Sequence, residues 1–335
     1  MVECRGGRTV QAAACRAAIY GFNSHPRLQL SIFYVTVSLI MIRANFNNKS
    51  LNLCQLKVGN MVSKVALVEL GPDTKQSFKQ ALKLIGKMDD LNTKERSVVI
   101  KVGVFDPRTE HHTTVNVVDA IIYSFDKAPQ IFLAESDNYK GTGTERLQIW
   151  KTLFTERVIP FNLSEDTDTK RVKIADENIG LSHILFKPNV LVSTHILRTY
   201  EKGSILKNLL GLIPDRKKVR FHKKLEATLL DLYEAVGGID LAVLDGTYMS
   251  LGVAPSSGRI STDIIIVGRD AVAVEAVGAT LVGLHPERMP IIQEAMNKGL
   301  GEGNLAKIEV LGASIQRLKE KIALLLATSR KKGKA

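Results

Sequence analysis

The residues best equipped for chemistry fall in five polar stretches, most of them directly after an apolar run. The segment FDPRTEHHTT places Asp106, Arg108, Glu110, His111, His112, Thr113 and Thr114 in one loop. A histidine there can take up or release a proton near neutral pH or ligate a metal. Thr113 or Thr114 reads as the cap of a following helix, so an anion in this loop would meet a helix N terminus as well as Arg108. In AESDNYKGTGTE, Glu135 and Asp137 close an apolar run and Gly141-Thr142-Gly143-Thr144 precedes a helical period. Glycines here would let backbone N–H groups approach a phosphate, and a turn with a threonine cap fits the same residues. Neither Gly-Lys-Ser/Thr nor GxGxxG is present, so the common nucleotide-loop motifs are absent from this stretch.

The third stretch is the richest. Ser193, Thr194 and His195 end a strand-like run, Lys207 and Asn208 sit together in a helical segment, and Lys217, Lys218, Arg220 and His222 follow. An asparagine in an otherwise apolar helix is costly to bury unless its amide is satisfied, so Asn208 requires either a ligand or a loop backbone as partner. The last two stretches centre on Asp245-Gly246 and on Asp270 with Glu275. Asp245 is placed to hold a metal or accept a hydroxyl proton. Asp270, directly before Ala271, is better placed to cap a helix.

These groups need a scaffold that brings the ends of several apolar runs together. Short β-branched runs alternate with helical periods from Met61 onward, which predicts an α/β fold: a layered, mostly parallel sheet with helices on both faces. Strands are expected over 64–70, 97–105, 130–135, 158–162, 171–175, 190–196, 240–245, 264–267 and 308–311. Helices are expected over 73–88, 115–125, 145–154, 204–210, 225–236, 271–282, 289–297 and 314–327. The middle of the chain breaks the regular alternation. In such sheets ligands bind outside the carboxyl ends of the strands, where the five polar stretches fall.

The chain has 335 residues, 45% apolar and 24% charged, and a formal net charge of +12. That composition excludes a disordered, collagenous or coiled-coil protein. The charge is uneven. Seven Lys/Arg and one acid lie in residues 1–60, and Arg330, Lys331, Lys332 and Lys334 form a basic tail, so the body between them is nearly neutral. A nearly neutral body with 6% aromatic residues argues against nucleic-acid binding. The basic tail allows nonspecific contact with nucleic acid.

The three cysteines, Cys4, Cys15 and Cys54, all precede Met61, so no Cys-ligated iron-sulfur cluster is expected in residues 61–335. The apolar run Leu28–Ile42 is shorter than the roughly 20 residues of a membrane-spanning helix, and no clean signal-peptide cleavage site follows it. Residues 1–60 read as a non-native or poorly ordered extension, residues 61–329 as one domain and 330–335 as a tail. A chain starting at Met61 is expected in the cytoplasm, off the membrane.

Lys101 on an apolar strand, Thr194-His195, the segment LKNLLG (206–211), His222, Asp245-Gly246 and Asp270-Ala-Val-Ala-Val before Glu275 together resemble the domain of unknown function 362 family. The resemblance spans about Val65 to Gly312. The family's usual Lys-Pro-Asn is replaced here by Lys101-Val102-Gly103, its Lys-Thr-His by Ser193-Thr194-His195, and its commoner aspartate by Glu275. Many relatives also carry a cysteine-rich, ferredoxin-like domain. The resemblance implies a fold and a pocket but no settled reaction.

The expected function is an enzyme or small-molecule-binding protein that takes a phosphate or carboxylate ligand at the carboxyl edge. Lys101, Arg108 and Lys207 would neutralise the anion, with Thr113, Thr114, Thr142, Asn208 and His222 completing the ligand-binding set. His195, His111 and Asp245 are the expected catalytic groups. A divalent metal would need Asp245 with His195 or His222, a scattered set with no compact motif, and no organic cofactor is specified. The alternative is an accessory protein that docks to a redox partner.

Overall fold

The computed structural model describes residues 62–252 and 258–332. The reading of residues 1–60, and of the last residues of the basic tail, lies outside them. Among the described residues no helix is long and apolar enough to cross a membrane.

The apolar runs assemble into one eight-stranded sheet. Its strands are β1 (Ser63–Glu69), β2 (Val98–Lys101), β3 (Ile131–Glu135), β4 (Val158–Asn162), β7 (Val190–Arg198), β8 (Leu241–Ser250), β9 (Arg259–Gly268) and β10 (Ile308–Gly312), in the order β10-β1-β9-β8-β7-β2-β3-β4. Only β9 runs against the rest, pairing antiparallel with β1 and β8. The sheet is thus mostly parallel, as the alternating pattern predicts. The reversed strand follows from the eight positions that separate β8 from β9, fewer than a parallel crossover requires.

The irregular middle is a separate hairpin. β5 (Thr169–Ile174) pairs with β6 (Glu177–Ser182), and the sequence reading recovers only the first of these strands. Its two-residue turn, Ala175-Asp176, has positive φ at both positions (46° and 73°), the backbone a type I′ turn requires.

Helices cover both faces. On one side lie α1 (Thr74–Leu84) and α2 (Val115–Ser124), packed against a core containing Ile100, Val192 and Val243. On the other lie α4 (Ile205–Asn208), α5 (Leu225–Ala235), α6 (Ala271–Leu281) and α7 (Pro290–Asn297), against a core containing Val99, Leu191 and Leu244. Every residue of α6 is buried. This helix is apolar all round apart from Glu275 and Thr280, whose hydroxyl donates to the Ala276 carbonyl, as a helix must be when it is enclosed on every side. α3 (Gly143–Leu147) and α8 (Ile315–Lys332) complete the set. α3 and α4 are shorter than their apolar periods predict, because each tightens into a 3₁₀ turn, over Gln148–Leu153 and Leu209–Leu212.

One place in this topology is special. From β2 the chain builds outward through β3 to β4, and from β7 it builds the opposite way through β8 to β9. The connection leaving β2 enters α2 on one face, and the connection leaving β7 enters α4 on the other. The sheet therefore has a switch point between β2 and β7, the position where open α/β sheets bind ligands.

Candidate functional site

Lys101 ends β2 and Ser193–His195 lie in the middle of β7, in register as Lys101 opposite Ser193. Lys101 is 1% exposed, and a buried ammonium is tolerated only when all its protons find acceptors. They do: Nζ donates to the Val102 carbonyl (2.9 Å), to Glu135 Oε2 (3.0 Å) and to Asn208 Oδ1 (3.0 Å). Glu135 Oε2 also accepts from the Arg146 guanidinium at 3.0 Å, and its Oε1 accepts from the Ser136 amide. One buried carboxylate thus serves two buried cations. Burial lowers the Lys101 pKa, Glu135 opposes that shift, and Arg146 adds to it.

Asn208 is satisfied by the two strands. Its Nδ2 donates to the carbonyls of Lys101 (2.9 Å) and Thr194 (3.1 Å) and to Ser193 Oγ (3.2 Å). Of the two partners its position requires, the protein supplies the backbone one. Lys101 and Asn208, both expected to hold a ligand, have every side-chain polar atom engaged internally and form a frame that locks α4 onto β2 and β7. Gly211 of the LKNLLG segment belongs to this frame, since a Cβ there would sit 2.6 Å from Lys101 Nζ and 2.7 Å from Glu135 Oε1.

α4 is held from its other end by Glu275. Its two carboxylate oxygens accept from the amides of Ser204 (2.7 Å) and Leu206 (2.9 Å). Burial raises the Glu275 pKa, opposed by these amides and by Arg198. Arg198, whose pKa burial depresses to about 10, donates to the Gly203 carbonyl at 2.7 Å. Asp270 is the cap its position predicts, accepting from the amides of Val272 and Ala273.

Lys207 differs from its neighbours in this frame. It is half-buried, and among the described residues its ammonium makes no hydrogen bond or ion pair; the Tyr200 ring lies 5.9 Å away. Burial, with the positive charges of Arg198 and Lys202, lowers its pKa to about 8, and Glu226 opposes this weakly. Lys207 in turn acts electrostatically on His195 and on the exposed His222, both with pKa values lowered first by burial. For His195, burial and the charges of Arg198 and Lys101 hold the imidazole pKa well below its ordinary range, which favours the neutral ring. Its Nδ1 lies 3.3 Å from the Ile196 carbonyl.

The ring of His195 packs against Gly103. A Cβ at residue 103 would come within 2.6 Å of the ring and 2.8 Å of the His195 Cα. Gly103→Ala is accordingly expected to cost about 1–3 kcal/mol through overpacking and to displace the imidazole. The check is a denaturant midpoint read alongside the His195 NMR signals; an unchanged imidazole environment would refute the close packing.

The other expected residues are placed elsewhere or engaged differently. Asp245 and Thr194 lie on the opposite, α2 face of the sheet, in phase with Val243 and Val192. Asp245 accepts from the Thr114 amide (2.7 Å) and hydroxyl (2.8 Å) and from the Thr247 amide (2.9 Å). It is thus a hydroxyl acceptor whose donor is internal. Thr114 occupies the N-cap position of α2, but its hydroxyl goes to Asp245 rather than to the helix.

Thr113 is fully buried, and its hydroxyl accepts from the Gly103 amide at 3.4 Å. His111 Nδ1 meets Ser250 Oγ at 2.5 Å, binding the loop to β8. Arg108, expected to meet the anion, is clamped by two hydrogen bonds of 2.8 Å to Asp106. Thr142 forms a reciprocal capping box with Glu145. Among the described residues no group of three or more His, Cys, Asp or Glu is placed to hold a metal.

Arg146 and Arg198 are site residues that sequence reasoning missed. Arg146, with its buried guanidinium, follows a capping threonine by four positions, where a surface residue is the ordinary expectation. Lys218, seen in the sequence only as part of a basic run, bonds to the Asp137 carbonyl, and burial lowers its pKa to about 8.

With this geometry in place, the comparison with known families is direct. Residues 98–280 match the family described as Domain of unknown function (DUF362). The match covers more than half of the chain and includes Lys101, Glu135, His195, Lys207, Asn208 and Glu275, so the protein belongs to the DUF362 family. No curated protein shows significant similarity to the chain.

Proposed function

We propose that this DUF362 protein binds a small ligand carrying a phosphate or carboxylate group at the β2/β7 switch point, with Lys207 as the principal charge that receives it. The observation that carries this reading is the ammonium of Lys207, half-buried beside Arg198 and Lys202 and without an acceptor among the described residues. A desolvated cation among cations is an unfavourable arrangement that an anion relieves. His222 lies within electrostatic reach of Lys207 on the exposed side. His195, on β7 beside the point where β2 ends, is the acid–base group of the site. The frame of Lys101, Glu135, Arg146 and Asn208 fixes α4 so that Lys207 has a defined position.

The pH dependence has a definite sign. A bound anion stabilises the ammonium form, so binding above about pH 8 must be coupled to proton uptake by Lys207. Affinity for a simple anion is expected to be constant below that pH and to fall above it, approaching tenfold per pH unit. Isothermal titration with sulfate, whose charge is constant over this range, measures the profile. Lys207→Arg should bind with a flat profile, because a guanidinium stays charged, and Lys207→Gln should bind at least about tenfold more weakly, the loss of one charge-assisted hydrogen bond. If phosphate, sulfate and small carboxylates all leave the melting temperature of the wild type unchanged, the anion site is refuted.

A further inference from the structure

We propose that Lys207 is a nucleophilic amine that forms an imine with a ligand bearing a carbonyl group beside its anionic group, a compound of the keto-acid class. The inference rests on the anion site described above and names what that site takes.

The contrast between the two lysines of the site carries the argument. Lys101 is buried to 1% exposure and spends its three protons on three acceptors within 3.0 Å. Lys207, nine positions beyond the end of the strand that carries His195 at the same switch point, has no acceptor among the described residues and is open to solvent on one side. It stands on α4, which Asn208 ties to β2 and β7 and Glu275 ties to α6. A rigidly mounted amine, unpaired and flanked by cations, is the arrangement that turns lysine from a charge into a nucleophile. The lowered pKa supports this: near pH 7 the neutral amine fraction of a lysine titrating at about 8 exceeds that of an ordinary lysine by on the order of a hundredfold.

The step balances without any redox partner. The lone pair of neutral Nζ attacks the carbonyl carbon, forming a C–N bond as the C=O π pair moves to oxygen, which takes a proton from solvent while the nitrogen gives one up. The resulting carbinolamine loses its hydroxyl as water, with one proton supplied by solvent and one lost from nitrogen, and leaves a C=N bond. The sum is amine plus carbonyl giving imine plus water. The attack uses the neutral amine, so the anionic group pairs with a positive Lys207 nitrogen only once the imine is protonated.

Borohydride trapping tests the proposal. Full-length protein is incubated with pyruvate, glyoxylate or 2-oxoglutarate, reduced with borohydride, which supplies the hydride that fixes the imine as a secondary amine, and mapped by peptide mass spectrometry. The expected result is an adduct at Lys207 with at least one keto acid, about tenfold or more above any other lysine. Sulfate should suppress it, acetone, which lacks the anion, should not produce it, and Lys207→Arg should abolish it. Mapping the wild-type adduct decides the site even if a variant folds poorly. Thermal shifts are recorded in parallel. If sulfate or a keto acid stabilises the protein but no adduct forms at Lys207, or if adducts spread evenly over surface lysines, the imine proposal is overturned and the anion site stands. If no anion stabilises the protein, both fall.

Discussion

Replacing Glu135 with alanine is expected to destabilise the protein by about 3–5 kcal/mol, the cost of stripping a buried cation of its counter-charge. The effect is large because Glu135 is shared. It accepts from Lys101 and Arg146, each at 3.0 Å, and the side chains of all three are at most 4% exposed. Removing the carboxylate leaves an ammonium and a guanidinium facing one another in a medium that screens poorly. Lys101→Met should cost less, since the Glu135–Arg146 pair survives and the thioether chain fills much of the lysine's volume. The ordering of the two variants is therefore the informative result. Urea denaturation with an unchanged slope would give both values, and equal costs would show that Glu135 does not serve two cations. Against a total stability of about 5–15 kcal/mol for a natural domain, the Glu135→Ala variant is expected to be partly unfolded near body temperature.

Glu275→Ala is the second large effect, expected at about 2–4 kcal/mol, since each buried donor left unpaired costs about 1–3 kcal/mol. The amides of Ser204 and Leu206 both donate to this carboxylate, at 2.7 and 2.9 Å, and Arg198 loses its nearby negative charge with it. This variant has a functional readout that the first lacks. The segment freed by the substitution is the one that carries Lys207, so anion affinity should fall even at temperatures where the protein remains folded. Glu275→Asp shortens the reach of the carboxylate and should lie between alanine and wild type. If Glu275→Ala binds anions as tightly as wild type while folded, the carboxylate does not position Lys207.

How much of this was legible in the sequence depends on the separation of the interacting partners. The strands around Val98–Ile100 and Ile264–Val267 announce themselves because an uninterrupted apolar run is a local property, and Asp270 and Thr142 announce themselves as caps because a cap acts within four residues. The role of Asp245 was half legible. Its place after a strand marked it as an acceptor, but its donor, Thr114, is 131 positions away. Lys101 and Asn208 stand out in the sequence as polar groups in apolar surroundings that need a partner, but nothing local shows that they bond to each other across 107 positions. Arg146 left no signal at all, since an arginine in the first turns of a helix is an ordinary surface residue until the fold buries it against Glu135. The reversed direction of β9 was hidden for a different reason. A buried antiparallel strand between two parallel neighbours has the same apolar composition as they do, and only the short connection from β8 reveals its orientation.

The order of strands in the sheet also governs how the protein is made. β1 is synthesised before every other described strand, yet its two neighbours are β9 and β10, with Val65 opposite Gly268 on one side and Val310 on the other. Nearly two hundred residues must leave the ribosome before either edge of β1 can be covered, while β2, β3 and β4 can pair in sequence. Such long-range closure is slow, and an apolar strand with two open edges is a template for pairing with other chains. β1 must therefore wait longest among the strands, and overproduction of the protein should favour aggregation through this segment.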